Sequence, residues 1–348
     1  MKKVVLILYI SFIAIFSSCE KENVDKIFKE ASFKLDEKIL EGYFVTAINF
    51  DSKGTAWIGT FNQGLLRYYN GQVTIFNKDN SPLDSSFIYD IAIDKNDNVW
   101  IGTNGLIKYD GKTFKKYDST NSIMPENFVR SLAIDKNNAI WFSSSRFKQG
   151  GLVKFDGNRW QLFTPENSKL PCNLIMDIVI DSDNTKWIAM GGSTVNEVSM
   201  VKITNNGWTL ISDKQFGFDP YYWGDLAVNN DNSVIATLNY GLSSTWDITR
   251  PNIAICQGNT WKINNPSDSF GNSLGYVSTI CCDSNGFIWA ALESNPEFKK
   301  LAIFDGNKWC VNNDELETGG IFVMKADNKN RIWLGTGSGI QIIESMKK

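Results

Sequence analysis

Histidine is absent from the 348 residues, and arginine is scarce, with only six in the chain. Without an imidazole there is no serine or cysteine nucleophile activated by a histidine base, and no metal site that needs a histidine ligand. Carboxylate chemistry and oxygen-ligated calcium survive that exclusion. The arginines, Arg67, Arg130, Arg146, Arg159, Arg250 and Arg331, fall at scattered positions, which argues against an arginine triad built for a carboxylate. A dominant charge is missing too. A net charge of −3 and a pI near 5.3 leave no basic footprint, so nucleic acid is not an expected partner.

The apolar run from Val4 to Phe16 is thirteen residues, too short for a membrane span, and Lys2 and Lys3 precede it, as in a secretory signal. It closes on Phe16-Ser17-Ser18-Cys19, which resembles a bacterial lipoprotein signal box and implies lipidation at Cys19. An ordinary secretory signal with an incidental cysteine is the alternative. The expected division is a signal at 1–19, a tether at 20–31 and a folded domain at 32–348, giving a lipid-anchored envelope protein. Glu20-Lys21-Glu22 resembles the export signal of surface-displayed lipoproteins, so periplasmic and surface-facing placements both stay open. Five further cysteines make an odd number in an oxidising compartment, so at least one is free or paired between molecules. Cys281 and Cys282 sit where other repeats carry Ala92-Ile93 or Ala133-Ile134 and read as core.

What the chain has in abundance is one phrase. An acid or its amide stands six residues before an aromatic or β-branched residue at Asp51/Trp57, Asp94/Trp100, Asp135/Trp141, Asp181/Trp187, Asn229/Ile235, Asp283/Trp289 and Asp327/Trp333. The steps are 43, 41, 46, 48, 54 and 44 residues, with alternating apolar runs on either side. A period in the forties made of short strands and turns is the signature of a β-propeller, one four-stranded blade per repeat. The expected fold is all-β, a monomeric seven-bladed ring. Asp110-Gly111 and its equivalents Asn70-Gly71, Asp156-Gly157, Asn206-Gly207 and Asp305-Gly306 suit tight type I′ hairpins between third and fourth strands. The last repeat stops after its third strand, and Ser32 to Asp36 resembles the fourth-strand text Thr113 to Asp118. That segment is expected to complete blade seven and close the ring.

The linking phrases Asn80-Ser81-Pro82-Leu83-Asp84, Asn121 to Asn127 and Asn167 to Asn173 lead into Val/Ile-x-x-Ile-x-x-Asp, Trp-Ile-Gly-Thr and Gly105-Leu106-Ile107-Lys108-Tyr109-Asp110-Gly111. Together they resemble the two-component regulator propeller repeat over roughly residues 32–345, closely in repeats one to three and seven. The resemblance implies a propeller that senses or binds, often a carbohydrate, as in the periplasmic sensors of hybrid histidine kinases and in stand-alone envelope proteins. Those sensors typically carry two propellers and a kinase, so a signal here is expected to pass through a partner.

The loops joining second to third strands vary most, so a binding site is expected on their face, centred on blades three to six. Ten of twelve tryptophans repeat in register. Trp223 and Trp246 do not, and both fall in blade five. The candidate ligand-binding set is Tyr221, Tyr222, Trp223, Tyr240, Trp246 and Arg146, suited to stacking on sugar faces or to a partner's apolar anchor. A lid filling a long loop is the competing reading. No cofactor is expected. Asp94 to Asn98 lacks the bidentate glutamate of a calcium loop and reads as a plain turn. A glycosidase would need two carboxylates, for which Asp219, Asp225, Asp247, Glu197, Glu293 and Glu297 are candidates. The leading expectation is a glycan ligand, an envelope protein second. A carbohydrate-active enzyme and an outer-membrane scaffold are the alternatives.

Overall fold

A computed structural model describes residues 35–83, 87–146, 149–191, 199–212, 222–239, 252–266, 276–295, 298–311 and 320–345. Among them there is no helix. The chain makes seven four-stranded antiparallel sheets in sequence order, the blades of a propeller. Blade one comprises Val45–Phe50, Ala56–Thr60, Leu65–Tyr69 and Gln72–Phe76. Blade seven takes three strands from the end of the chain, Ile321–Ala326, Arg331–Thr336 and Gly339–Glu344. Its fourth is Leu35–Ile39, paired antiparallel with Gly339–Glu344 so that Ile39 faces Ile340 and Leu35 faces Ile343. The ring is therefore closed by the N-terminal segment, whose described strand overlaps the expected Ser32–Asp36 at Leu35 and Asp36 and runs on to Ile39, residues 32–34 lying outside the described residues. That register packs Ile39 and Leu40 against the cluster of Ile340 and Ile342.

The core is not one mass. Seven apolar clusters fill the seven gaps between neighbouring blades. Alternation along the first strands makes this possible, since successive side chains point to opposite faces. In blade two, Ile91 enters the cluster shared with blade one and Ala92 the cluster shared with blade three. The Trp-Ile-Gly-Thr text serves the same packing. A Cβ on Gly59 would lie 2.5 Å from Ile88, and one on Gly335 2.7 Å from Val45, so glycine lets the next blade close in. Cys281 and Cys282 lie on the first strand of blade six, Tyr276–Cys282, and Cys281 is buried. Among the described residues no cysteine is joined in a disulfide.

The six-residue spacing has a hydrogen-bond cause. One carboxyl oxygen of the repeated Asp accepts the backbone N–H groups two and four residues on, as Asp135 does from Asn137 and Ala139. The other accepts the indole N–H six residues on, at 2.9 to 3.2 Å in all six blades that have the pair. Blade five has Ile235 and no indole there, and Asn229 instead donates to Gly286 O of blade six at 3.1 Å. Over the tryptophan ring of the first four blades lies a cation from the facing position of the third strand, Arg67, Lys108, Lys154 and Lys202.

The third residue after the repeated acid has positive φ in every blade: Gly54, Asp97, Asn138, Asn184, Asn232, Gly286 and Asn330. Asn and Asp tolerate that conformation best among residues with a Cβ. Here they also reach back to the previous blade. Asp97 accepts from Ser52 N, Asn138 from Lys95 N, Asn184 from Lys136 N, Asn232 from Ser182 N and Asn330 from Ser284 N. The first-to-second turns thus clasp one another around one rim. Asp94 belongs to this scheme and binds its own turn.

The third-to-fourth hairpins follow the type I′ expectation only in blade one, where Asn70 and Gly71 both have positive φ. In blades two and three the loops are four residues, Asp110 to Thr113 and Asp156 to Arg159, with positive φ at the glycine alone. The aspartate explains the longer loop, because its carboxylate accepts the N–H groups two and three residues ahead. In blade four, Thr204 faces Gly207, so Asn205 and Asn206 form the loop.

Candidate functional site

The rim opposite the clasped turns carries the second-to-third and fourth-to-first loops and opens into a central channel of about 870 Å³. At this mouth six aromatic rings form a continuous crescent. Phe322 of blade seven lies 4.5 Å from Phe44, Phe44 5.4 Å from Phe61, Phe61 4.9 Å from Phe87, Phe87 4.2 Å from Tyr89, and Tyr89 4.6 Å from Phe128 of blade three, centroid to centroid. Phe61 and Phe322 are 48% and 46% exposed, whereas large apolar side chains are mostly buried elsewhere on the inner strands. The crescent spans blades seven, one, two and three.

Repeat register explains the arrangement. Phe44, Phe87 and Phe128 occupy one position of the repeat, four residues before the inward-facing Ile48, Ile91 and Leu132. The same offset from Leu226 is Tyr222. One residue later comes a core position: Val45, Ile88, Val129, Ile175, Val277 and Ile321 are each no more than 2% exposed. Trp223 stands at that position in blade five, on the strand Tyr222–Val228 opposite Leu238. The two neighbours thus hold different positions of the repeat, Tyr222 that of Phe44, Phe87 and Phe128, and Trp223 that of Val45, Ile88 and Val129. Tyr221, Tyr240 and Trp246 lie outside the described residues.

Arg146 ends the strand Ile140–Arg146 and is exposed. Burial raises the Tyr89 pKa, and the positive charges of Arg146 and Arg130 pull against that rise, so both guanidinium groups lie near the Tyr89 end of the crescent. Arg130 also donates to Met176 O at 3.2 Å. The mouth therefore has an apolar arc and a cationic, hydroxyl-bearing end. The loops of blades three to six, where the variable sequence placed the site, lie in good part outside the described residues. The crescent was missed because phenylalanine repeats in register read as architecture.

Deeper in the channel stand three aspartates on the first strands of blades two, four and five. Asp90 accepts Leu132 N at 2.8 Å, Asp177 accepts Leu226 N at 2.7 Å, and Asp225 accepts Ile280 N at 3.0 Å, each across a blade interface. Ser131 and Thr279 add hydroxyl bonds to Asp177 and Asp225 at 2.7 Å. Burial pushes Asp90 up to about 7, with backbone donors opposing it. Burial and the neighbouring Asp177 push Asp225 up to about 7, and burial raises Asp177 as well. Asp225 thus stands in a channel-wall strand and not in a loop, and its Oδ2 accepts both Thr279 and Ile280 of the next blade. Glu293 lies on the strand Ile288–Asn295, and Asp219, Asp247, Glu197 and Glu297 fall outside the described residues. Among the described residues no group of acids and cysteines is arranged to hold a metal, and no helix is long and apolar enough to cross a membrane.

Residues 82–105 match the model of the family described as the two component regulator propeller. A comparison with curated proteins returns no match. Among solved structures, the chain is similar to the extracellular domain of a putative one component system from B. thetaiotaomicron. The identity is 18% and the TM-score 0.66, over 91% of this chain and 40% of that one. A putative hybrid two component system of the same organism gives 19% and 0.67, over 89% and 40%. This chain thus spans about 40% of the length of those two. PorZ, an essential surface component of the type-IX secretion system of Porphyromonas gingivalis, matches at 16% identity and a TM-score of 0.65, over 86% of this chain and 46% of PorZ. At such identities the likeness concerns the fold. A virginiamycin B lyase from Staphylococcus aureus is also similar, and its histidine-to-alanine variant is described as catalytically inactive. This chain has no histidine. It carries a two-component regulator propeller repeat and folds as a seven-bladed propeller similar to the extracellular propellers of B. thetaiotaomicron signalling systems.

Proposed function

We propose that this is an envelope propeller that binds a ligand at the crescent mouth and performs no chemistry, with a glycan as the ligand. The observation that carries the reading is the run of six touching rings ending beside Tyr89, Arg130 and Arg146. Ring faces suit the C–H faces of sugars, and guanidinium and phenol groups suit hydroxyls and acidic substituents. Monomeric surfaces seldom expose large contiguous apolar areas without a binding role. Tyr222 extends the same register position into blade five, and Tyr221, Trp223, Tyr240 and Trp246 are proposed as the blade-five side of the mouth. A lipid anchor at Cys19 holds the domain at the membrane. The channel acids are interblade bonds in this reading, since Asp90, Asp177 and Asp225 each accept a backbone N–H of the next blade.

The similarity to PorZ supports a second reading, in which the arc seats an apolar anchor of an envelope protein. A thermal-shift screen of residues 20–348 against a glycan panel tests the first, run beside a Phe61→Ser, Phe322→Ser double variant. A ligand at a hundredfold excess over Kd stabilises the native state by about 2.7 kcal/mol. The expected result is a glycan that raises Tm in the parent and not in the variant. No shift with any glycan, together with a crosslinked envelope protein at the same residues, would favour the second reading.

A further inference from the structure

Beside the crescent, blade one holds a second cavity, of about 360 Å³, lined by Tyr43, Asn62, Gln63, Asn77, Lys78 and Asp79 over an apolar floor of Ile75 and Leu83. It shares two chain segments with the crescent, since Tyr43 precedes Phe44 and Asn62-Gln63 follow Phe61. Its wall is held firmly. Gln63 donates from Nε2 to Gly42 O at 3.1 Å and from its backbone N–H to Thr60 Oγ1 at 2.9 Å, while Thr60 Oγ1 donates to Gly64 O at 2.8 Å. Gly64 has φ +87°, and a Cβ there would lie 2.2 Å from Phe76 O, so the turn is pressed against the third-to-fourth hairpin pair. Asn77 is fixed by bonds within its own loop, accepting Asp79 N at 2.9 Å.

One atom in this wall has no counterpart. The Gln63 side-chain oxygen is buried and accepts no hydrogen bond. Buried amide oxygens are nearly always paired, and an exception calls for a missing donor. We infer that this cavity is a subsite for a single polyhydroxylated ring, a neutral monosaccharide unit of the glycan proposed above, and the inference rests on that reading. The chemistry of the lining selects the class. Asn62 offers both donors and acceptors, Asn77 its amide donors, Gln63 an acceptor, Lys78 donors and Asp79 an acceptor, a mixture that suits alternating hydroxyls. Tyr43 and Ile75 offer apolar surface for ring C–H groups, with Leu83 buried beneath. Lys78 and Asp79 offset each other in charge, so no ionic group is demanded. The volume lies at the small end of ligand sites, which fits one ring and not a chain. The rest of the glycan then lies across Phe61 and Phe44.

Saturation-transfer NMR with the methyl glycosides of glucose, galactose, mannose and N-acetylglucosamine tests this on the protein, with Asn62→Ala, Gln63→Met and Phe322→Ala variants alongside. The expected result is millimolar binding of at least one glycoside, weakened tenfold or more by Gln63→Met and by Asn62→Ala. Asn62 is exposed, so its variant keeps the test independent of folding. Leu210→Ser, on the outer strand Gly207–Ser212 of blade four, serves as the unaffected control. Absence of binding by all four glycosides overturns the subsite. Binding lost in Phe322→Ala yet intact in Gln63→Met and Asn62→Ala also overturns it, placing the sugar on the crescent and leaving the proposed function standing.

Discussion

On one rim of the ring, seven turns bind their own backbone and most reach across to clasp the neighbouring turn. On the other, six aromatic rings touch one another across four blades beside a charged, half-open channel. The aspartates differ in the same way. Asp94 and Asp135, in the turns, are each surrounded by N–H donors that hold their pKa below the usual range against the opposing pull of burial. Asp90 and Asp225, in the channel wall, have fewer donors to offset desolvation and sit near Asp177, so their pKa rises to about 7. The clasped rim holds the frame, and the open rim carries the loops that vary and the crescent at which binding is proposed. A repeat can thus keep its text for stability at one end of each strand and change it for function at the other.

The largest effect should come from breaking the frame. Deleting residues 20–39 removes the strand that covers Gly339–Glu344 and exposes an edge and the Ile340–Ile342 cluster. We expect a marked fall in Tm of the whole domain, measured by differential scanning fluorimetry. An unchanged Tm would mean the closure contributes nothing. Next is Asp135→Ala, which strands the Trp141 indole N–H and two backbone N–H groups and leaves the buried Lys186, 3.6 Å away, without its partner. The cost should be about 3–5 kcal/mol by urea unfolding.

The opposed aspartates give a pH profile with two arms. Asp90 and Asp225 bind protons more tightly folded than unfolded, so their contribution is complete below about pH 4 and is lost as pH rises toward about 7. Asp177, Lys325, Arg130 and the hydroxyls of Ser131 and Thr279 are the groups that bear on these acids. Asp94 and Asp135 act in the other direction. Their contribution is present above the unfolded value of 3.8 and is lost as pH falls below it. Tm should therefore peak in the mildly acidic range, and Asp90→Asn should make the alkaline arm shallower and leave the acid arm unchanged.

A smaller effect isolates the clasp. Asn184→Ala loses both the bond to Lys136 N and a residue suited to φ +65°, whereas Asn184→Gly loses only the bond. We expect about 1–2 kcal/mol for alanine and less for glycine. Smallest of all should be Phe61→Ser with Phe322→Ser. The exposed rings contribute little to the fold, so stability should stay within about 0.5 kcal/mol while ligand binding is lost.

The architecture was legible because the period and alternation are local and repeated seven times, and the Asp-to-Trp spacing recurs in six of those repeats. The clasp was not, because Asn184 and its equivalents look like ordinary turn residues until neighbouring blades come together. The N-terminal strand was legible by its text, and its continuation to Ile39 was not, since that end is set by Ile39 pairing with Ile340. For the site, sequence variation pointed to the rim of the second-to-third loops and to blade five, whose loops lie in good part outside the described residues. The crescent lay hidden in Phe44, Phe87 and Phe128, whose shared register looks structural, and in Phe61, a turn residue. Only the ring closure brings Phe322 of the last repeat against Phe44 of the first.

Hydrogen exchange of the domain with and without the glycan that raises its Tm tests the central claim most directly. The account predicts new protection in segments 42–46, 60–64, 87–90 and 320–324. Protection confined to the clasped turns at 51–55, 94–98 and 135–139, or none at the mouth, would contradict it.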